Sequence, residues 1–222
     1  MKTILRGITA VLGVVLASAW LAPAASAGGN ATAGKDKIAV CSGCHSADGN
    51  SAVANFPKLA GLGEKYLLKQ MRDINSANPA KSGRVIPEMT GMLAGLSEQD
   101  MADIAAYYSA QKRQLAGATD NAKQLSLGER IFRAGNLETG VPACTGCHSP
   151  SGNGNTPAGY PALGGQHAAY VAKQLRAFRT GAHDAENPSA RLNDESGVMR
   201  GVAAHLNDQE VDALSNYISG LH

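Results

Sequence analysis

Apolar positions recur at helical spacing along most of the chain, and no run alternates convincingly as a half-buried strand would. Met101, Ile104, Ala105 and Tyr108 form a three-four stripe, with Ser97 ahead of it as a helix N-cap and Asp100 three residues on. The arrangement returns near the C-terminus, where Asn207 precedes Glu210. Further helices are predicted over about residues 64–74 and 168–178, and a shorter one leads into each cysteine pair. Long stretches rich in Gly, Pro and Asn lie between them, among them 133–142 and 180–196, and read as loops. The pattern is that of an all-α protein.

The first residues follow a different pattern. Lys2 and Arg6 precede an apolar run from Ile8 to Leu21, and Ala25-Ser26-Ala27 stand ahead of Gly28. A basic start, a short apolar stretch and a small-residue exit mark residues 1–27 as a secretory signal peptide, with cleavage expected after Ala27. As a membrane anchor the run is too short, because about 20 apolar residues are needed to cross a bilayer. No later stretch reaches that length, so the exported chain is expected to be soluble or at most peripheral to a membrane.

Composition adds two constraints. The leader holds two of the 20 basic residues and none of the 18 acids, which leaves the remainder formally neutral and gives no reason to expect nucleic-acid binding. The first half of that remainder carries about two net positive charges and the second about two net negative ones, an asymmetry of the kind that orients docking. The only tryptophan, Trp20, leaves with the leader, so each half has little aromatic material for a core.

The chain repeats once. Cys41-Ser42-Gly43-Cys44-His45-Ser46 returns as Cys144-Thr145-Gly146-Cys147-His148-Ser149, at an offset of 103. Phe56-Pro57 and Leu59 return as Tyr160-Pro161 and Leu163, and the run from Tyr66 to Arg72 returns from Tyr170 to Arg176, at 104. The last helix returns at 110. Two homologous domains follow, residues 28–115 and 125–222, joined by the polar linker 116–124.

All four cysteines sit in the two CxxCH motifs. On a helical turn Cys41, Cys44 and His45 stand at i, i+3 and i+4, so both sulfurs and the imidazole face one side. That placement suits thioether attachment of one haem c, with the histidine ligating its iron, and Cys144, Cys147 and His148 repeat it. A redox dithiol needs a βαβ setting that is missing, and neither it nor a plain disulfide explains the histidine that follows each pair. A single Cys₄ zinc site would leave both histidines unused, and its pairs usually lie about 15–20 residues apart. Two covalent haems are expected, and they would supply the apolar bulk that small cores lack.

The second axial ligand separates carrier from catalyst, because an open iron face admits small reactants. A ligand needed twice should occupy matched positions. Met71 falls opposite Leu175, Met92 opposite Val202 and Met101 opposite Val211, the substitutions of core residues. Only Met89 meets a methionine, Met199, and both precede the last helix in a loop. His167, His183, His205 and His222 have no histidine at the matched offset. Pro57 and Pro161 follow each haem histidine by 12 or 13 residues, where a carbonyl can accept the ring's other N–H; a rigid turn explains them equally.

These residues resemble the dihaem cytochrome c4 family over essentially the whole exported chain, through Cys41–His45 with Gly49-Asn50-Ser51, Glu88-Met89-Thr90-Gly91 and the closing Tyr217–His222. The resemblance implies two class I cytochrome c domains about a pseudo-twofold axis. It also implies His45 with Met89 and His148 with Met199 as axial ligands, and a periplasmic carrier serving terminal oxidases, often membrane-associated. The expected function is electron transfer from a quinol-oxidising complex or small donor to an oxidase or reductase, with no catalytic residues. Two other readings stand beside it: a dihaem peroxidase-like enzyme with one open haem, and a cytochrome subunit held in a larger redox complex.

Overall fold

The computed structural model describes residues 28–76, 84–89 and 91–222, so the leader and its cleavage site lie outside it. The first half contains α1 (Ala31–Lys35), α2 (Ala39–His45), α3 (Glu64–Ile74), a 3₁₀ turn at Pro87–Met89, and α4 (Glu98–Ser109). The second contains α5 (Ala122–Ala134), α6 (Thr145–His148), α7 (Ala168–His183), α8 (Val198–Ala204) and α9 (Asp208–Gly220). Among the described residues the only extended pairings are two isolated bridges, Asn136 with Val141 and Asn155 with Tyr160. The fold is all-α.

The two closing helices start where polar capping is available. Ser97 Oγ accepts the Asp100 N–H at 3.1 Å, and the Asp100 carboxylate accepts the Ser97 N–H at 2.9 Å. Asn207 and Glu210 form the same reciprocal box at 2.9 and 3.0 Å. Each cap satisfies N–H groups that the helix itself leaves unpaired, a contribution of about 1 kcal/mol. The helices then bury their stripes, and Met101, Ile104, Ala105 and Tyr108 are all closed off from solvent.

Each half encloses its own core. Ile38, Leu67, Leu68, Met101, Ile104 and Tyr108 meet in the first, and Ile131, Phe132, Val171, Val211, Leu214 and Ile218 in the second. Helices α1 and α3 pack on α4, while α5 and α7 pack on α9. The first crossing of each half is set by a glycine: a Cβ on Gly34 would lie 2.0 Å from the Asp103 carbonyl oxygen, and one on Gly128 2.2 Å from that of Ala213. Backbones this close leave no room for a side chain.

Three elements differ from the sequence reading. Helix α7 runs five residues beyond 178, since its Gly181 packs against the Arg191 backbone and nothing before His183 breaks the turn. Residues 198–204 form a helix rather than a loop. Gly197 takes a left-handed φ of 68° at its start, and the Asp194 carboxylate accepts the Arg200 N–H at 2.8 Å and its Nε–H at 2.7 Å. Helix α5 begins at Ala122, capped by Asn121, and is 13 residues long rather than short.

The halves meet along a polar seam. Gln166 holds the Lys58 backbone from both sides, accepting its N–H and donating to its carbonyl, each at 2.9 Å. His167 Nε2 donates to the Ser51 carbonyl at 2.8 Å. A second group is reciprocal. Arg191 donates to Tyr66 and Gln70 of the first half, and Arg84 donates to Tyr170 and Gln174 of the second, at 2.8–3.3 Å. Repeat-related residues exchanging the same contacts are the mark of a twofold relation.

Candidate functional site

Helix α2 carries Ala39–His45 and ends at once after the histidine, because Ser46 turns the chain away with φ 66° and ψ 156°. Ser149 does the same after His148, with φ 67° and ψ 159°. Backbone in this region is favourable only for glycine and costs on the order of 1–3 kcal/mol elsewhere. That the same strain recurs at both motifs ties it to the placement of the histidines rather than to a local accident.

Both imidazoles are buried, and each is held by one bond. His45 Nδ1 lies 2.9 Å from the Pro57 carbonyl oxygen, and His148 Nδ1 lies 2.9 Å from that of Pro161. A carbonyl only accepts, so the proton sits on Nδ1 and the Nε2 lone pair is left to bind a metal. Burial pushes both rings below the ordinary histidine value, and the bonds to Pro57 and Pro161 offset that only in part. Burial therefore favours the neutral form, the one that ligates. Of the two sequence readings of the prolines, the structure shows the carbonyl acceptor.

Of the four cysteines, Cys44 is exposed and the other three are partly buried. Among the described residues no three or more His, Cys, Asp or Glu side chains gather as a metal cluster, and so the shared Cys₄ zinc site has no place. Two cysteines for attachment beside a neutral, oriented imidazole for ligation are what a covalently attached haem requires.

Met89 closes the 3₁₀ turn and Met199 is the second residue of α8, each partly buried, while Met92 is exposed and Met101 is core. Three of the four rival histidines have other partners. His167 bridges the seam, His183 Nε2 lies 3.3 Å from the Ala204 carbonyl, and His222 Nδ1 lies 3.0 Å from that of Gly220. Sequence reasoning passed over Gln166, Arg84 and Arg191. The arginines left a faint trace, since each follows a Ser-x pair at an offset of 107.

Known proteins share these features. The family model for cytochrome c matches residues 31–112 and again 125–222. Cytochrome c4 of Azotobacter vinelandii is 54% identical over 203 residues, covering 89% of this chain and 92% of that one. The crystal structure of reduced recombinant cytochrome c4 from Pseudomonas stutzeri superposes with a TM-score of 0.80 at 53% identity, covering 87% of this chain and all of the other. A thiosulfate dehydrogenase electron acceptor of Thiomonas intermedia is 34% identical, over 90% of this chain and 84% of its own. With both domains matched and a CxxCH pair in each, this chain carries two covalent haem c groups, at Cys41/Cys44 and Cys144/Cys147, and serves electron transfer. It belongs to the cytochrome c4 family.

Proposed function

We propose that the protein is a periplasmic electron carrier in which His45 and Met89 close the axial positions of one haem and His148 and Met199 those of the other. Each bound haem supplies a one-electron couple at its iron. The observation that carries the reading is the duplicated histidine, buried, neutral and fixed through Nδ1 to a proline carbonyl at 2.9 Å in both halves. A ring held in this way need not turn or change protonation as charge at the metal changes. The thioethers of Met89 and Met199 carry no proton to exchange, so axial donors of this kind make electron transfer a step with little rearrangement.

Export rests on the leader motif, and no described helix is long and apolar enough to cross a membrane. The donor is a quinol-oxidising complex or a small redox protein, and the acceptor a terminal oxidase or reductase. A second reading is that of an electron acceptor attached to a catalytic partner, which the likeness to the Thiomonas protein favours. The size of the native complex in its own cells distinguishes a free carrier from a bound subunit.

Carbon monoxide added to the reduced protein tests the ligand set. Neither haem of the unaltered chain should bind it rapidly, whereas Met199→Ala should open one haem to the gas. Rapid binding at one haem of the unaltered chain would instead identify a peroxidase-like enzyme.

A further inference from the structure

The two proposed axial methionines stand in unlike surroundings. Met199 is the second residue of α8, a helix whose cap position is Gly197, with no side chain to satisfy the first N–H groups. Asp194 supplies the missing acceptor. One of its carboxylate oxygens takes the Arg200 N–H at 2.8 Å and the other the Arg200 Nε–H at 2.7 Å. Its carbonyl accepts from the Gly197 N–H at 2.7 Å and from Arg200 Nη2 at 3.3 Å. Residues 194–200 are thereby closed into a loop that carries Met199, with its neighbour Arg200 as the clasp. The Asp194 side chain is 10% exposed and that of Arg200 27%, so the pair is shielded from the solvent that weakens surface ion pairs. Charge-assisted bonds of this kind are about twice as strong as neutral ones.

The first half does not repeat the clasp. Counted from the methionines, Asp194 falls opposite Arg84 and Arg200 opposite Thr90, so the matched positions offer no carboxylate and guanidinium to pair. Arg84 reaches across the seam to Gln174 and Tyr170 instead. Met89 closes a 3₁₀ turn of three residues, its N–H bonded to the Ile86 carbonyl and its carbonyl to the Met92 N–H, each at 3.0 Å. Bonds in such a turn are poorer in geometry than those of an α-helix. Glu88, beside Met89, meets Lys173 at 3.9 Å with both side chains more than half exposed, an ion pair of little worth.

We infer that Asp194 and Arg200 are positioning residues for Met199, and that the two haems therefore differ in how readily they exchange their axial methionine. An external nitrogen donor such as imidazole displaces Met89 from the haem of the first half before it displaces Met199 from that of the second, because moving Met199 aside strains or breaks the clasp. The inference rests on the ligand pairs proposed above.

Titration of the oxidised holoprotein with imidazole tests it, followed through the near-infrared sulfur-to-iron absorption that a methionine ligand gives. Met89→Ala and Met199→Ala, each removing one haem's contribution, assign the signal. The unaltered protein should lose the absorption in two steps, the first-half haem leading, separated by about tenfold in imidazole concentration, equivalent to ~1.4 kcal/mol. Asp194→Asn should carry the second step most of the way to the first and leave the first in place. Asp194→Glu, which keeps the charge, should restore part of the separation. Should Asp194→Asn fail to fold, Arg200→Gln carries the same test while leaving the Asp194 bond to the helix N–H. Steps that coincide in the unaltered protein would overturn the clasp, as would a second step that stays put in Asp194→Asn or moves together with the first, the mark of a general loosening of the fold. A Met199→Ala protein that keeps the absorption of both haems would instead defeat the ligand assignment itself.

Discussion

Asp103 is 4% exposed yet placed to remain ionised, because the Asn30 N–H, Lys37 Nζ and the Gln99 amide all donate to it at 2.6–2.8 Å. Those three bonds, led by the Asn30 N–H, hold its carboxyl below the usual carboxylate range. Lys37 first, then Ser97, depress Asp100 in the same way. A depressed native value means that the stabilisation is complete above the unfolded value, about 4, and is lost as pH falls through the native one. Thermal melting followed from pH 5 to pH 2 should show a steep acid-side loss, and Asp103→Asn should flatten it; an unchanged slope would remove this pair from the account. At this scale sequence alone reached the haem cysteines and the cap at Asp100, whose meaning is local. Asp103 lay beyond it, since Asn30 is 73 residues away and Lys37 is 66 away.

Helices were the most legible level, because amphipathic stripes and caps act within one turn. The N-terminal boundaries at Ser97 and Asn207 fall where the pattern placed them. The crossings were not legible. Gly34 and Gly128 are repeat-related at an offset of 94, and only the approach of α1 to α4 and of α5 to α9 reveals why neither position holds a side chain. Gly128→Ala would set a methyl 2.2 Å from the Ala213 oxygen and 2.7 Å from Tyr217 Cβ, forcing the helices apart. Calorimetry should register a loss on the order of 1–3 kcal/mol, and a variant as stable as its parent would contradict the packing. Ser97→Ala should cost about 1 kcal/mol by the same measurement, through loss of the capping box. The helix at 198–204 escaped the sequence because its start depends on Gly197 and Asp194, not on an apolar stripe.

For the whole molecule, duplication was the most informative signal in the sequence, and the seam between the copies the least. Gln166 has no counterpart at Leu62, and the arginines recur at an offset unlike that of the helices around them. Each half builds a small core from few aromatic residues and leaves an oriented imidazole beside two cysteines. The holoprotein should therefore melt cooperatively, and protein lacking its haems should show no cooperative transition. The central claim is that two haems, one per domain and each closed on both axial sides, carry one electron apiece. A reductive titration of the intact protein with and without carbon monoxide addresses it most directly. Two one-electron waves, neither displaced by the gas, are expected; a single wave, or one that shifts under carbon monoxide, would contradict the claim.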